Sequence, residues 1–268
     1  MSDNPYELQS VRNALRVLLL LQQGRQMSVS EVALSMNLAM STSHRILATL
    51  KAESFVRQSS ETKKYFLGPV MASASSAHMI EDLIQGAREP MRRLVDATGE
   101  SSHLMVRDGR VVRYIHVVDS PHLVRLAFTL EDTHPVHTIA AGKVLISHLS
   151  ESELDNLLPN EKIKKKTSHS IGTRTKLKQE LKLVRERGYA FNMSETELGL
   201  FVAAVPILDS NNIPIAAISL GGPTYRINEE RMFVRLSSAR SPLEWLKNSA
   251  IAASRNLHSS AWNESQEN

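Results

Sequence analysis

The sequence predicts an α+β protein in two parts, with short helices and a basic hairpin at the N-terminus and a β-rich domain with interspersed helices behind. Apolar residues at helical spacing dominate up to about residue 51, and two strand-like runs follow. From Ser101 onward short β-rich runs alternate with helical segments, the pattern of helices around an antiparallel sheet. With 268 residues the chain exceeds a typical single domain, so two domains and a connector are expected.

Composition narrows the function classes. With 42% apolar and 22% charged residues, the chain reads as an ordinary soluble globular protein. No apolar run approaches the ~20 residues of a membrane span. Met1–Leu8 lacks the basic patch and apolar stretch of a secretory signal, so a cytoplasmic protein is expected. The absence of cysteine excludes disulfides, thiolate metal sites and cysteine nucleophiles. A net charge of +4 agrees with a polyanionic partner, and residues 1–68 carry eight Lys/Arg against five Asp/Glu. The run Lys162, Lys164, Lys165, Lys166 reads as a solvated loop or helix end.

The N-terminal segment, 1–68, shows three helical signals in succession. Val11, Ala14, Leu15 and Leu18 share helical spacing, with Gly24 as the stop. Ser28-Val29-Ser30-Glu31 has the form of a capping box and opens a helix with Val32, Ala33 and Met36 on one side. Asn37 suits the left-handed turn that must follow. A further helix runs from about Ser41 to Lys51 and buries Ile46, Leu47 and Leu50, giving a helix-turn-helix. Its outward positions are read as Ser41, Thr42, Ser43, His44, Arg45 and Thr49, side chains that reach phosphates and base edges in a major groove. Phe55–Gln58 and Lys63–Leu67 then form a basic hairpin, the wing of a winged helix-turn-helix. Arg57, Lys63 and Lys64 are expected on the flanking phosphates.

A connector helix over 69–98 follows, with Pro69 in its first turn, Pro90 expected to kink or divide it, and Gly99 as its end. In the second domain, 99–255, strands are expected at His103–Arg107, Val111–Val118, Val124–Thr129, Phe201–Leu208 and Ile213–Leu220, with Asp108-Gly109 as a hairpin turn. Helices are expected over Lys143–Leu149, after the capping box Ser150–Glu153, over Lys176–Arg187 up to Gly188, and over 228–255. The polar tail, 256–268, is expected to be disordered.

Catalytic and cofactor motifs are missing: there is no G-x-S-x-G, H-E-x-x-H, P-loop or G-x-G-x-x-G. The nearest approach to a metal motif is His134-Pro135-Val136-His137, with His116 and His122 upstream, and ordinary surface or capping histidines account for it better. Neither an enzyme, a cofactor nor a metal is expected.

Taken in order, several of these pieces resemble the IclR-type transcriptional regulators. They are Ser10-Val11…Ala14-Leu15…Leu18, Ser30-Glu31-Val32-Ala33, Ser41-Thr42-Ser43-His44-Arg45-Ile46-Leu47…Leu50 and Tyr65-Phe66-Leu67-Gly68. The second half adds Thr138–Lys143, Arg187-Gly188-Tyr189-Ala190, Glu195…Gly199, Ala203–Pro206 and Ala216–Leu220, so the likeness spans roughly 10–250. It implies that Thr42, His44 and Arg45 lie at or near operator DNA, and that the linker helix takes part in a dimer contact. The C-terminal domain would be GAF-like and bind a small organic acid or aromatic effector. By the same resemblance, the backbone at Ala141 and Gly142 would sit beside the effector, with Asn192, Leu200, Val202 and Ser219 lining the pocket. Members that bind small polar acids often carry Asp, Cys and Ser where this chain has Asn192, Val202 and Gly221, which implies a less polar ligand or a differently oriented one. The expected partners are double-stranded operator DNA, a small-molecule effector and further copies of the chain, as homodimer or homotetramer. Two other readings stand beside this one: a small-molecule enzyme, or a sensor signalling through a protein partner, either using the N-terminal helices for oligomerisation.

Overall fold

The computed structural model describes residues 8–22, 26–236 and 240–264, without the side chains of 72–77 and 258–264. The chain divides into two compact units, Met1–Met79 and Ile80–Asn268.

In the first unit α1 (Gln9–Gln22), α2 (Val29–Met36) and α3 (Met40–Ala52) precede a hairpin of β1 (Val56–Gln58) and β2 (Tyr65–Leu67). The capping box at α2 is present: the Ser28 N–H donates to Glu31 Oε2 at 2.6 Å and the Glu31 N–H to Ser28 Oγ at 3.3 Å. Asn37 closes the helix in the left-handed conformation, φ 51° and ψ 49°, its N–H reaching the Ala33 and Leu34 carbonyls. Val17, Leu18, Leu21, Val32, Ile46, Leu47, Val56 and Tyr65 form the core. The buried face of α1 differs from the expected one, since of Val11, Leu15 and Leu18 only Leu18 is buried. Apolar residues lie on more than one side of this helix, so spacing alone cannot select the stripe that meets the core. Gly24 lies outside the described residues.

The second unit is a six-stranded antiparallel sheet between two helical layers. Its strands are β3 (Ser101–Asp108), β4 (Val111–Val118), β5 (Thr133–Pro135), β6 (Ala190–Met193), β7 (Leu200–Leu208) and β8 (Pro214–Pro223), ordered β5-β4-β3-β8-β7-β6. Against one face pack Leu83, Ala87, Met91 and Leu94 of α4 (Pro69–Thr98), together with α8 (Pro242–Glu264) through Leu243, Leu246, Ala250 and Ala253. The other face carries α5 (Ala140–Ile146), α6 (Glu151–Leu157) and α7 (Arg174–Arg187). Side chains alternate along β3, so that Leu104 and Val106 enter the first layer and Met105 the second.

Several elements depart from expectation. α4 runs undivided through Pro90. A proline there deprives the Gly86 carbonyl of its helical donor, and Asn256 Nδ2 of α8 supplies one at 2.9 Å. Val124–Thr129 forms no strand, because β5 occupies the outer edge of β4. The apolar alternation is kept, but Leu126 and Phe128 pack against the second-layer core instead of joining the ladder. α5 begins three residues before the expected start, with Gly142 inside it. Residues 228–234 form turns, and α8 starts only at Pro242, where Ser241 and Glu244 cap it reciprocally. That helix extends to Glu264, into the segment expected to be disordered, and residues 265–268 lie outside the described ones.

Candidate DNA interface and effector cavity

α3 presents Ser41, Thr42, His44, Arg45 and Thr49 to solvent. Ser43 is a correction: its side chain is fully buried, with no hydrogen-bond partner for Oγ. It falls three residues before Ile46 and four before Leu47, on the stripe that faces the core. Thr49 Oγ1 donates to the Arg45 carbonyl at 2.9 Å, leaving its oxygen lone pairs free. Thr42, Arg45 and Thr49 line one groove with Val11 and Leu15 of α1.

Arg57 sits on β1 opposite Phe66, and the wing turn places Lys63 at φ 55°. Arg57 and Lys63 are exposed. Lys64 differs from Lys63: its Nζ donates to Glu31 Oε1 at 3.0 Å. Hydrogen bonds from the Ser28 backbone and from Lys64 hold the Glu31 carboxyl down to about 2. Lys64 therefore offers a partly neutralised charge, whereas Lys63 and Arg57 have no carboxylate among their described contacts.

In the second unit a cavity opens between the start of α5 and the sheet. Ala141, Asn192, Leu200, Val202 and Ser219 all line it. Strand register brings four of them together: Asn192 pairs with Val202 across β6 and β7, Ser219 pairs with His103 across β8 and β3, and Leu200 lies two residues before Val202 on the same face. Gly142 does not line it. A Cβ there would fall 2.0 Å from the Val136 carbonyl oxygen, so its role is close backbone packing beneath the cavity wall. Gly221 is comparable, since a Cβ would come within 2.8 Å of Val202 Cγ2 and 3.0 Å of Leu126 Cδ2. The apolar side chains of Val202 and Leu126 thus fill the space beside Gly221.

Asn192 is fully engaged within the protein. Its Nδ2 donates to the Thr138 carbonyl at 3.1 Å and to Thr196 Oγ1 at 2.6 Å, and its Oδ1 accepts from the Glu195 N–H at 2.8 Å. It fastens the α5 entry to the β6–β7 connection. The same two segments are joined by a buried ion pair, Lys143 Nζ to Glu195 Oε1 at 2.6 Å. Burial raises the Glu195 pKa, against the opposing influence of Lys143.

Sequence reasoning missed His103, Tyr114 and Phe128, which also line the cavity. Alternation from Met105 could have put His103 on this face, but nothing in the sequence brings the other two beside it. His103 is 1% exposed, and burial pushes its pKa down to about 4, so the ring is neutral near pH 7. Nδ1 lies 3.4 Å from Ser219 Oγ, while the buried Nε2 has no partner. Ring centroids of His103, Tyr114 and Phe128 lie 4.9–5.7 Å apart. His134 packs on the same cluster and accepts at Nδ1 from Lys166 Nζ at 2.9 Å. Burial, then Lys166, lowers its pKa to about 4. His137 instead meets the Lys164 carbonyl. The His-Pro-Val-His run thus diverges, and no cluster of three metal-ligating side chains occurs among the described residues.

Residues 10–60 match the IclR helix-turn-helix domain, and residues 75–242 the bacterial transcriptional regulator IclR C-terminal domain. The transcriptional regulator KdgR of Dickeya chrysanthemi is 32% identical over 231 residues, which cover 86% of this chain and 76% of that one. IclR of Thermotoga maritima superimposes with a TM-score of 0.59 at 27% identity, covering 94% of this chain and 99% of its own. An IclR homologue from Microbacterium hydrocarbonoxydans, complexed with 4-hydroxybenzoate, shares the fold at 20% identity and a TM-score of 0.59, over 93% of this chain and 99% of its own. KdgR is a regulator of transcription. The winged helix-turn-helix, the antiparallel sensor sheet and the matches along both units show that this chain belongs to the IclR family of bacterial DNA-binding transcriptional regulators.

Proposed function

We propose that the protein binds a two-part operator as a dimer or a dimer of dimers, in the cytoplasm, and that a small carboxylate with an apolar body tunes that binding from the cavity beside α5. One observation carries the effector reading: a cavity with mostly apolar walls, into which the α5 entry and a few polar side chains converge. The first N–H groups of α5 have no acceptor within the helix and carry partial positive charge, which suits a carboxylate. Leu200 and Val202 contact the apolar body and Ser219 its polar edge. Asn192 acts indirectly, by holding the wall. The fold neighbour complexed with 4-hydroxybenzoate holds a ligand of this build, a carboxylate on an apolar ring.

On the DNA side, Thr42, His44 and Arg45 read the major groove, with Ser41 and Thr49 at its margins, while Arg57 and Lys63 engage phosphates. One such head buries too little surface for high specificity, so paired heads are required. Leu8, Val11, Leu15 and Leu19 of the first helix and its entry, each 51–68% exposed at spacings of three and four, supply an apolar stripe for a second head.

Mapping of bound chromosomal DNA, followed by anisotropy titrations across salt concentrations, tests this. Sequence-selective binding with a steep salt dependence is expected, over a footprint of two half-sites. A monomer at micromolar concentration protecting one half-site would refute the paired reading. Salt-independent or absent DNA binding would favour a sensor acting through a protein partner.

A further inference from the structure

Three features of the cavity have so far no assigned use: the free nitrogen of His103, the aromatic walls around it, and the larger space just outside. His103 Nε2 is a buried polar atom without a partner in a cavity whose other nearby walls are Met105, Tyr114, Leu126 and Phe128. A buried, unsatisfied polar atom is unfavourable by an amount comparable to a lost hydrogen bond. One that faces a cavity is satisfied when a ligand fills it. The inner cavity measures only about 20 Å³, room for about one water. An outer cavity of about 310 Å³ adjoins it, and Leu126, Phe128, Thr196 and Leu200 line both. Leu126 and Phe128 belong to the stretch 121–130, which has no regular secondary structure. A ring compound in the inner cavity requires those two side chains to move, which would join it to the outer one.

We propose that His103 is the specificity-determining residue of this cavity, and that it selects planar acids bearing an uncharged hydroxyl, which hydrogen-bonds to Nε2. The inference rests on the effector reading above and deepens it. The group at His103 must be uncharged, because an ion set against the apolar walls and a neutral imidazole would lose its hydration without compensation. A hydroxyl fits better than a simple acceptor. If Ser219 Oγ donates to Nδ1, Nε2 bears the proton and the hydroxyl accepts; in the other tautomer Nε2 accepts and the hydroxyl donates. A planar body fits because the rings of Tyr114 and Phe128, tilted 38° with centroids 4.9 Å apart, offer flat apolar faces. The acid group takes the place given it above, beside Ile139, Ala140 and Ala141, which line the same cavity.

The test is calorimetric binding of two probes of equal shape, 4-hydroxybenzoate and 4-methylbenzoate, to the full-length protein. Wild type is expected to prefer the hydroxyl compound by roughly three- to tenfold, the worth of one buried hydrogen bond. His103→Phe keeps the ring packing and should abolish or invert that preference, whereas His103→Gln, which restores a donor and an acceptor, should retain part of it. Thermal unfolding of each variant checks the fold. A wild type that binds neither probe, or a folded His103→Phe protein with an unchanged preference, overturns the proposal. Val202→Asp separates the two levels of the argument. If it abolishes binding of both probes while His103→Phe leaves their ratio intact, the cavity stands and the role of His103 falls. If both probes bind Val202→Asp as they bind wild type, the cavity reading itself is wrong.

Discussion

Replacing Lys143 by methionine isolates the buried contact that joins the two walls of the cavity. The lysine and Glu195 side chains are 2% and 9% exposed and meet at 2.6 Å, while Glu195 Oε2 has no partner. Methionine preserves most of the lysine's apolar length but leaves the carboxylate buried without its cation. Breaking such a pair from one side destabilises by about 3–5 kcal/mol, which for a unit of this size lowers the melting temperature by roughly 6–20 °C. The loss has a pH signature. Burial already raises the Glu195 pKa in the folded protein, and removing Lys143 deletes the main opposing influences. A carboxyl whose folded pKa lies above its unfolded value favours the folded state at acid pH, and that contribution is lost as pH rises through the folded pKa. The Lys143→Met deficit should therefore be smaller at acid pH and grow as pH rises, measured by urea unfolding against wild type at each pH. Lys143→Met/Glu195→Gln should recover part of the loss and flatten the pH dependence of the deficit. A deficit below about 1 kcal/mol at pH 8, the size expected of an exposed pair, would refute the claim that this contact is desolvated.

Other perturbations discriminate equally well. Arg45→Ala should weaken operator binding and relax discrimination at one base pair by about 1–3 kcal/mol, and unchanged affinity and preference would remove Arg45 from the recognition surface. Lys63→Ala should lower the slope of log affinity against log salt by about one. Lys64→Ala should lower it less, because Glu31 already neutralises that lysine, and equal slopes for the two variants would contradict the pairing. Ser43→Ala removes a buried hydroxyl without a partner and raises helix propensity, so the head should gain about 1 kcal/mol with operator preference unchanged; a loss of DNA affinity would return Ser43 to the interface. His103 and His134, both lowered to about 4 by burial, take up protons more readily when unfolded. Their contribution is thus complete above about pH 6.5 and is lost as pH falls towards 4, at up to about 1.4 kcal/mol per pH unit for each. His103→Phe should reduce that slope in acid unfolding titrations, and an unchanged slope would show that His103 titrates normally.

Local chemistry was legible in the sequence. The capping boxes at Ser28 and Ser150 and the left-handed stops at Asn37 and Gly188 depend on neighbours a few positions apart, and each forms as its residue types dictate; the β3–β4 turn also forms, but at Gly109-Arg110, one residue beyond the expected Asp108-Gly109. The motif order along the chain likewise carried the family. Choices between faces and partners were not legible. α1 offers more than one apolar stripe, and only docking of α2 and α3 decides that Val17 and Leu21 are buried while Val11 and Leu15 are not. Ser43 reads as an outward polar residue until the core claims its side of α3. Leu126 and Phe128 alternate as strand residues do, yet β5 takes the sheet edge and leaves them over the cavity. Pro90 should interrupt α4, but Asn256, 170 positions away in the sequence, supplies the donor that the Gly86 carbonyl lacks. The unpartnered nitrogen of His103 is the extreme case. It exists only because Tyr114, Phe128 and Ser219, from three separate segments, close on one imidazole, and no local signal encodes which polar atom such a closure leaves without a partner.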